Sequence, residues 1–570
     1  MHSSIDFHKK TFKTNVGCPH KHYKINSSSL SLLEITPPFN ITPMKILLAF
    51  LFSIVLTSVF AQSEDYYKQL CEQSKAESLI PVRPGNIGEQ PFWNEKAVMF
   101  KYAPSFRNDK SSWIIPEPKY FRYSAFSFSD NKYYAFTADS PYETLTPIWD
   151  KLPNGEVYVK VEAISADEKD FLLAGSRLFT KTAAFCPPYP DAKYSYKEAF
   201  VKGLHFIYNQ PHIQSWLITG KPDHDAHKLY CYSALEVGSV VNAMLLHNSY
   251  YPGNDSSIGI AMKAADYIIA NAEPAGSPLQ FFPKVYEGTN MLAGNYKGEV
   301  IMSEAASTGM SFLALYEKTG KMKYLDAAVH IAETYQNTQL ESGTWFIRIF
   351  KETGLPASQE YCIPINIVNF LNILTDKYKY SSYQKVINSA IGWIWANPMK
   401  TYNWTGQFED VSAAKPYYNL SKYEASWFAQ YLVKNSEKDK SYIILAKELI
   451  AFCEDQFVVW EKPGIYDNWG NSSERWHAPA VLEQYMCYVP IDASAVQMIN
   501  TFYSIYEKTK EPIYLEKALA LANSLVNSQM GNGMIPTFWV PGFEEFWNNC
   551  MVSSLTMLGR LSTMSKKQVR

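Results

Sequence analysis

The feature that constrains this chain most is a stretch that nearly repeats. "YEKTGKMKYLDAA" at 316–328 returns as "YEKTKEPIYLEKA" at 506–518. Each copy reads as the end of one helix, a tight polar turn and the start of another. A repeated helix pair implies an ordered helical array, because no single pair can bury its apolar face alone. From about 194 onward the apolar residues do recur at i, i+3, i+4 and i+7, as in "IAMKAADYIIANA" and "SYIILAKELIAFCEDQ". Twelve segments of this kind are expected: 194–208, 228–248, 257–273, 300–318, 323–338, 362–378, 381–396, 422–435, 441–457, 492–508, 512–528 and 548–562.

The links between these segments alternate in kind. Some are short and polar: "KTGKM", "YKYSS", "SEKDKS", "KTKEP". The others are long: 209–227, 274–299, 339–361, 397–421, 458–491 and 529–547. Pairing the helices across the long links gives six pairs at a spacing of roughly 60 residues. In an antiparallel array every second connection lies on the same face, so all six long loops gather at one end. Six pairs close into a ring, which predicts an (α/α)6 toroid over 190–565. Loops that converge on one face of a rigid scaffold are where binding and chemistry usually sit.

Residues 80–185 have the other period. "YFRYSAFSFSD", "KYYAFTAD", "GEVYVKVEAIS" and "SRLFTKTAAF" alternate apolar and polar, separated by turn signals such as Pro153-Asn154-Gly155. They predict a small β-sandwich, and "LTPIWDKLPNGEVYVKVEAI" is similar to the middle of a fibronectin type III module. The fold class expected is mainly α, a toroid preceded by that sandwich.

The beginning of the sequence reads as a leader. "MKILLAFLFSIVLTSVFA" has a basic start at Met44 and Lys45, an apolar run from Ile46 to Val55, and a small residue at Ala61. We expect a signal peptide at 44–61, with 1–43 an untranslated or disordered extension, and a periplasmic, cell-surface or secreted product. The apolar run falls short of the about 20 residues that span a bilayer, so stable membrane insertion is not expected. The whole chain has a net charge of −2; the leader and extension carry six lysines and two acids, which leaves −6 for the remainder. With no basic block, nucleic acid is excluded as a partner. Seven cysteines lie beyond the leader, odd in number and without a CxxC pair. They read as buried small hydrophobes, not as a zinc site or a disulfide framework. "DHDAH" at 223–227 lacks a further ligand set, so neither a metal nor a cofactor is expected.

The long loops hold the chemistry. The first offers His212, His224, His227, Tyr230 and Tyr232, and the second Tyr286, Glu287, Asn295 and Tyr296. The third holds Trp345 and Arg348, and the fourth, "NWTGQFEDV", holds Trp404, Gln407, Glu409 and Asp410. The fifth carries Arg475, Trp476, His477, Glu483, Gln484 and Tyr485, and the sixth Trp539, Trp547 and Asn548. Glycosidic hydrolysis needs a proton donor and a second carboxylate. Elimination beside a uronic acid needs a group that neutralises the sugar carboxylate, a base and an acid. As catalytic residues we expect His477, Tyr230, Glu409 and Asp410. As substrate-binding residues we expect Trp404, Gln407, Trp345, Arg348, Arg475, Trp476, Tyr286, Glu287, His227, Tyr485 and Trp539. The aromatics, 15% of the chain with 40 tyrosines and 14 tryptophans, suit a partner whose rings stack on them, as sugars do.

Taken together, "GTWFIRI", "NWTGQFEDV", "YVPIDASA" and the β-then-helical layout over 80–570 resemble the exported bacterial toroid proteins of polysaccharide use. That group includes the six-hairpin glycosidases, the unsaturated uronyl hydrolases and the heparinase-type polysaccharide lyases. The resemblance implies cleavage of glycosidic bonds in a uronate-containing polysaccharide or oligosaccharide, with β-elimination ahead of hydrolysis. A non-catalytic glycan-binding protein is the third expectation.

Overall fold

The helical period becomes twelve helices, and link length decides which of them pack together. They are α1 (Tyr196–Tyr208), α2 (Ser233–Tyr250), α3 (Asp255–Asn271), α4 (Glu304–Thr319), α5 (Met322–Thr338) and α6 (Ile365–Asp376). There follow α7 (Gln384–Ala396), α8 (Tyr423–Lys434), α9 (Ser441–Phe457), α10 (Asp492–Thr509), α11 (Pro512–Ser528) and α12 (Asn548–Ser562). The structure is a computed structural model. It describes residues 64–78, 82–84, 117–141, 143, 145–288, 295–408, 420–461, 478–485, 487–540 and 542–564. All of these lie in one unit, Glu64–Arg570. The leader and the extension before it lie outside the described residues.

The pairing differs from expectation by one helix. The closest packing is across the short links: α2 with α3, α4 with α5, α6 with α7, α8 with α9, and α10 with α11. A link of only a few residues leaves the second helix nowhere to lie but antiparallel beside the first. A long loop imposes no such geometry. The sixth pair is α12 with α1, the two ends of the helical region. The even-numbered helices then form an inner ring: α2 packs on α4, α4 on α6, α6 on α8, α8 on α10, α10 on α12, and α12 back on α2. This closed inner ring with an outer layer of odd-numbered helices is the (α/α)6 toroid. Every inner helix begins where a long loop ends, so all six inner N-termini open on the same face.

The internal repeat extends further than its sequence suggests. Just past α5, the Gln339 side chain donates from Nε2 to the carbonyl of Gly343 at 2.9 Å, and also to Val386 O of α7 at 3.0 Å. Just past α11, Gln529 donates to Gly533 O at 3.0 Å and to Ala199 O of α1 at 2.8 Å. Both glycines have positive φ, 96° and 98°. A Cβ on either would stand 2.4 Å from a backbone oxygen, Ser389 O or Lys202 O. Only glycine fits, because the loop must turn against the next outer helix at that point. Two of the six long loops therefore leave the outer layer by the same device.

The β region is a single antiparallel sheet among the described residues, and the second layer of the expected sandwich has no counterpart there. Its strands are β1 (Val82–Pro84), β2 (Tyr120–Ser127), β3 (Lys132–Ala138), β4 (Gly155–Ile164) and β5 (Phe171–Lys181), in the order β1-β5-β4-β2-β3. Alternation reports that one face is buried but not what buries it. Tyr123, Ala125, Val157, Val159 and Val161 form the buried face. They share an apolar cluster with Leu145, Ile148, Trp149 and Leu152, which flank and form a short helix over 146–149. The sheet, this helix and the toroid share one continuous core.

One disulfide corrects the reading of the cysteines. Cys71 bonds Cys186 across a sequence separation of 115. It ties a helix at 64–77 to the segment that follows the sheet. The Ser74 hydroxyl accepts from Phe185 N at 3.0 Å, and Ser78 Oγ donates to Asp455 of α9 at 2.8 Å. Spacing could not show this pair, because the toroid alone brings its partners together. Cys231, Cys362, Cys453 and Cys550 are buried free thiols, as expected of small hydrophobes.

Candidate functional site

The inner N-termini surround a cavity of about 650 Å³, within the size range of ligand sites. Each helix N-terminus brings unpaired N–H groups and a partial positive charge. The sequence answers with acids in the first turn of four inner helices: Glu236 on α2, Glu304 on α4, Glu424 on α8 and Asp492 on α10. In the first turns of the other two stand Asn366 on α6 and Asn548 and Asn549 on α12.

These groups divide according to what surrounds them. Glu304, Glu424, Asn366 and Asn549 line the cavity, with Glu483 and Gln484 of β6 (Ala480–Gln484) and Gln407 of the fourth loop. Tyr232, Phe408, Tyr423, Trp427, Phe538 and Trp547 supply aromatic wall. Glu236 and Asp492 lie outside the wall and are internally bonded. Glu236 Oε2 pairs with His227 Nε2 at 2.8 Å and accepts from Asn548 N at 3.1 Å. Asp492 accepts from Ser554 Oγ at 2.9 Å and from Ala493 N at 2.7 Å.

Glu424 combines a place in the cavity wall with deep burial. It is 4% exposed, and its Oε2, like Oε1 of Glu236, is buried without a hydrogen-bond partner. Burial pushes its carboxyl up to about 8; its own backbone N–H and the Lys422 charge pull the other way and lose. An isolated buried carboxylate is costly, so the group holds its proton at neutral pH. It is therefore an acid on a cavity wall, poised to give a proton to whatever fills the cavity.

Beneath the wall, His212 and His227 stack with centroids 4.3 Å apart, and Asn548 Oδ1 meets His212 Nε2 at 3.1 Å. Burial and the neighbouring His227 push His212 down to about 4, which leaves it neutral. His227 of the "DHDAH" stretch is committed to Glu236.

Of the loop residues that the sequence singles out, Gln407, Glu483, Gln484, Tyr232 and Trp547 are in the wall; Ile363 N donates to Gln407 Oε1 at 3.0 Å. Most of the others are engaged elsewhere. Trp404 and Trp345 are fully buried, so neither offers a face for stacking; Trp345 Nε1 donates to Tyr335 O at 3.1 Å. Tyr230 is fully buried, accepts from Trp216 Nε1 at 2.9 Å and donates to His212 O at 3.2 Å. Burial pushes its hydroxyl far above the ordinary range, which suits a structural bond better than proton transfer. Tyr485 OH donates to Gln456 at 2.6 Å, and Trp539 is buried with its backbone bonded to Pro490 O. Glu287 accepts from Ser233 Oγ and Tyr267 OH at the start of α2. Arg348 pairs with Glu299 at 3.2 Å and sits over the Tyr296 ring, which stacks on Tyr286 at 5.6 Å. Glu409, Asp410, Arg475, Trp476 and His477 lie outside the described residues.

Sequence reasoning searched the loops and passed over Glu304, Glu424, Asn366, Tyr423 and Trp427, because these open the helices that follow. A signal for the acids was present: acid, alanine and serine recur as Glu304-Ala305-Ala306-Ser307, Glu424-Ala425-Ser426 and Asp492-Ala493-Ser494.

No family model matches the chain, and no curated protein does. Several solved structures resemble it at low identity. A family 76 glycoside hydrolase from a bovine Bacteroides thetaiotaomicron strain is 11% identical at a TM-score of 0.45, covering 78% of this chain and 93% of its own. A D-mannose isomerase is 11% identical at 0.46, covering 66% and 99%. An unsaturated glucuronyl hydrolase specific for heparin is 12% identical at 0.41, covering 64% and 96%. The ring described above rests on this chain's own helix contacts.

Proposed function

We propose that the mouth of the ring binds a glycan and hydrolyses its glycosidic bonds, with Glu424 as the proton donor to the leaving oxygen. The observation that carries this reading is a deeply buried carboxyl, Glu424, on the cavity wall, with Oε2 free of any hydrogen-bond partner and burial holding its proton at neutral pH. Hydrolysis also needs a carboxylate to attack or to activate water. Glu304 and Glu483 share the wall and fit that role. The sequence adds Glu409 and Asp410 directly after the wall residue Phe408. The aromatic wall and the amides of Asn366, Asn549 and Gln407 suit the apolar faces and hydroxyls of sugar rings.

Hydrolysis takes precedence over elimination because the wall brings the acid Glu424 together with two further carboxylates, Glu304 and Glu483, whereas Arg348, the cation expected to neutralise a sugar carboxylate, pairs with Glu299. Export remains part of the proposal: the leader at 44–61 motivates it, and the Cys71–Cys186 disulfide supports it, since such bonds persist in oxidising compartments.

The test is digestion of a panel of neutral and acidic polysaccharides, following reducing ends and ultraviolet absorbance together. New reducing ends without new absorbance are expected. An unsaturated product would replace hydrolysis with elimination. Binding without any product would leave a glycan-binding protein. Glu424→Gln should abolish most of the turnover.

A further inference from the structure

Lys422 is a fully buried lysine one residue before α8. A lysine is rarely buried unless it has something to hold. Its Nζ donates to the backbone carbonyl of Glu483 and stands 3.9 Å from the centroid of the Tyr423 ring. Two further links run along the same seam: Tyr485 N donates to Leu420 O at 2.9 Å, and Ser421 bridges Gln484. The seam joins the start of α8, which carries Glu424, to β6, which carries Glu483.

We infer that Lys422 is a positioning residue, fixing the two acid-bearing elements against each other and holding a positive charge behind Glu424. The inference rests on the reading of Glu424 as the proton donor. The ammonium opposes the effect of burial on that carboxyl. Without it the acid would hold its proton too tightly to release it near neutral pH. The other titratable groups around Glu424 do not supply this charge. Tyr423 precedes it on α8, and Glu483 of β6 and Glu304 of α4 share its cavity wall. Cys362 before α6 and Cys453 on α9 are thiols that burial pushes far up, and both feel the Glu424 charge.

The experiment compares pH–rate profiles of the wild type, Lys422→Met and Lys422→Arg on the glycan that the panel identifies. In Lys422→Met the alkaline limb should move up by about one pH unit, while Lys422→Arg, which keeps the charge, should leave it in place. A merely structural lysine would lower the melting temperature and leave the limb where it was, and that result overturns the inference. A second measurement avoids any risk to folding at position 422. In protein labelled at its lysine side chains, the Lys422 resonance should shift through the pH of the alkaline limb, and Glu424→Gln should remove that step. No such step would equally overturn the inference. Full activity in Glu424→Gln would instead sink the reading of the acid, so the two failures are distinguishable.

Discussion

The starts of α2 and α8 make a controlled pair. Both are inner helices, both open on the same face, and both carry a buried glutamate in the first turn, Glu236 and Glu424. At α2, the first loop and α12 reach the carboxylate, and His227 and the Asn548 N–H hold one of its oxygens. At α8 the helix faces the cavity, and the charged form of Glu424 is favoured by its own backbone N–H and the Lys422 charge, which burial outweighs. The same local signal thus yields a structural tie in one sector and, in our reading, a proton donor in the other. Both carboxyls keep one buried oxygen without a partner, so the difference lies in which groups meet the other oxygen and in what each carboxyl faces.

The largest effect should separate the two glutamates by activity. Glu424→Gln should lower turnover by roughly 10²- to 10⁴-fold, the range for loss of a general acid, with no loss of melting temperature. Retained turnover in a folded variant would break the comparison.

Stability against pH comes next. Burial raises both Glu424 and Asp492 to about 8, from ordinary values of 4.5 and 3.8. The folded state therefore keeps protons that the unfolded chain has released. The stabilisation is complete below about pH 4 and is lost as pH rises toward 8, on the order of 5 kcal/mol for each group. Denaturant melts between pH 5 and 9 should show this decline, and Asp492→Asn should flatten part of it. A variant whose stability fell just as steeply would remove Asp492 from the account.

Glu236→Ala is expected to act on the fold. It leaves the Asn548 N–H and His227 without their acceptor and should cost about 2–4 kcal/mol. Activity per folded molecule should stay within a few-fold of wild type. A large loss of turnover at full stability would place Glu236 with Glu424 in the chemistry.

The smallest effect belongs to Tyr230→Phe. Removing the hydroxyl strands the buried Trp216 Nε1–H and should cost about 1–2 kcal/mol, visible in the melting temperature and not in turnover. A fall in turnover of two orders of magnitude would restore the catalytic role expected from sequence.

The amino-acid sequence by itself determined the twelve helices, the alternation of link lengths and the face on which the long loops gather. These follow from chain-local physics: an apolar stripe needs a 3.6-residue period, and a short polar link forces its neighbours antiparallel. Sequence also pointed to Gln407 and to the loop acid Glu483. It passed over the acids that open the inner helices, however, and it paired the helices one position out of phase. Only the tertiary structure decided that α12 closes on α1 and α2, that Cys71 meets Cys186, and that Trp404, Trp345 and Tyr230 are core. Burial, which sets whether an indole can stack or a carboxyl keeps its proton, depends on segments hundreds of residues apart, such as Asn548 against Glu236. Glu236 and Glu424 look alike in one dimension because the groups that distinguish them arrive only when the ring closes.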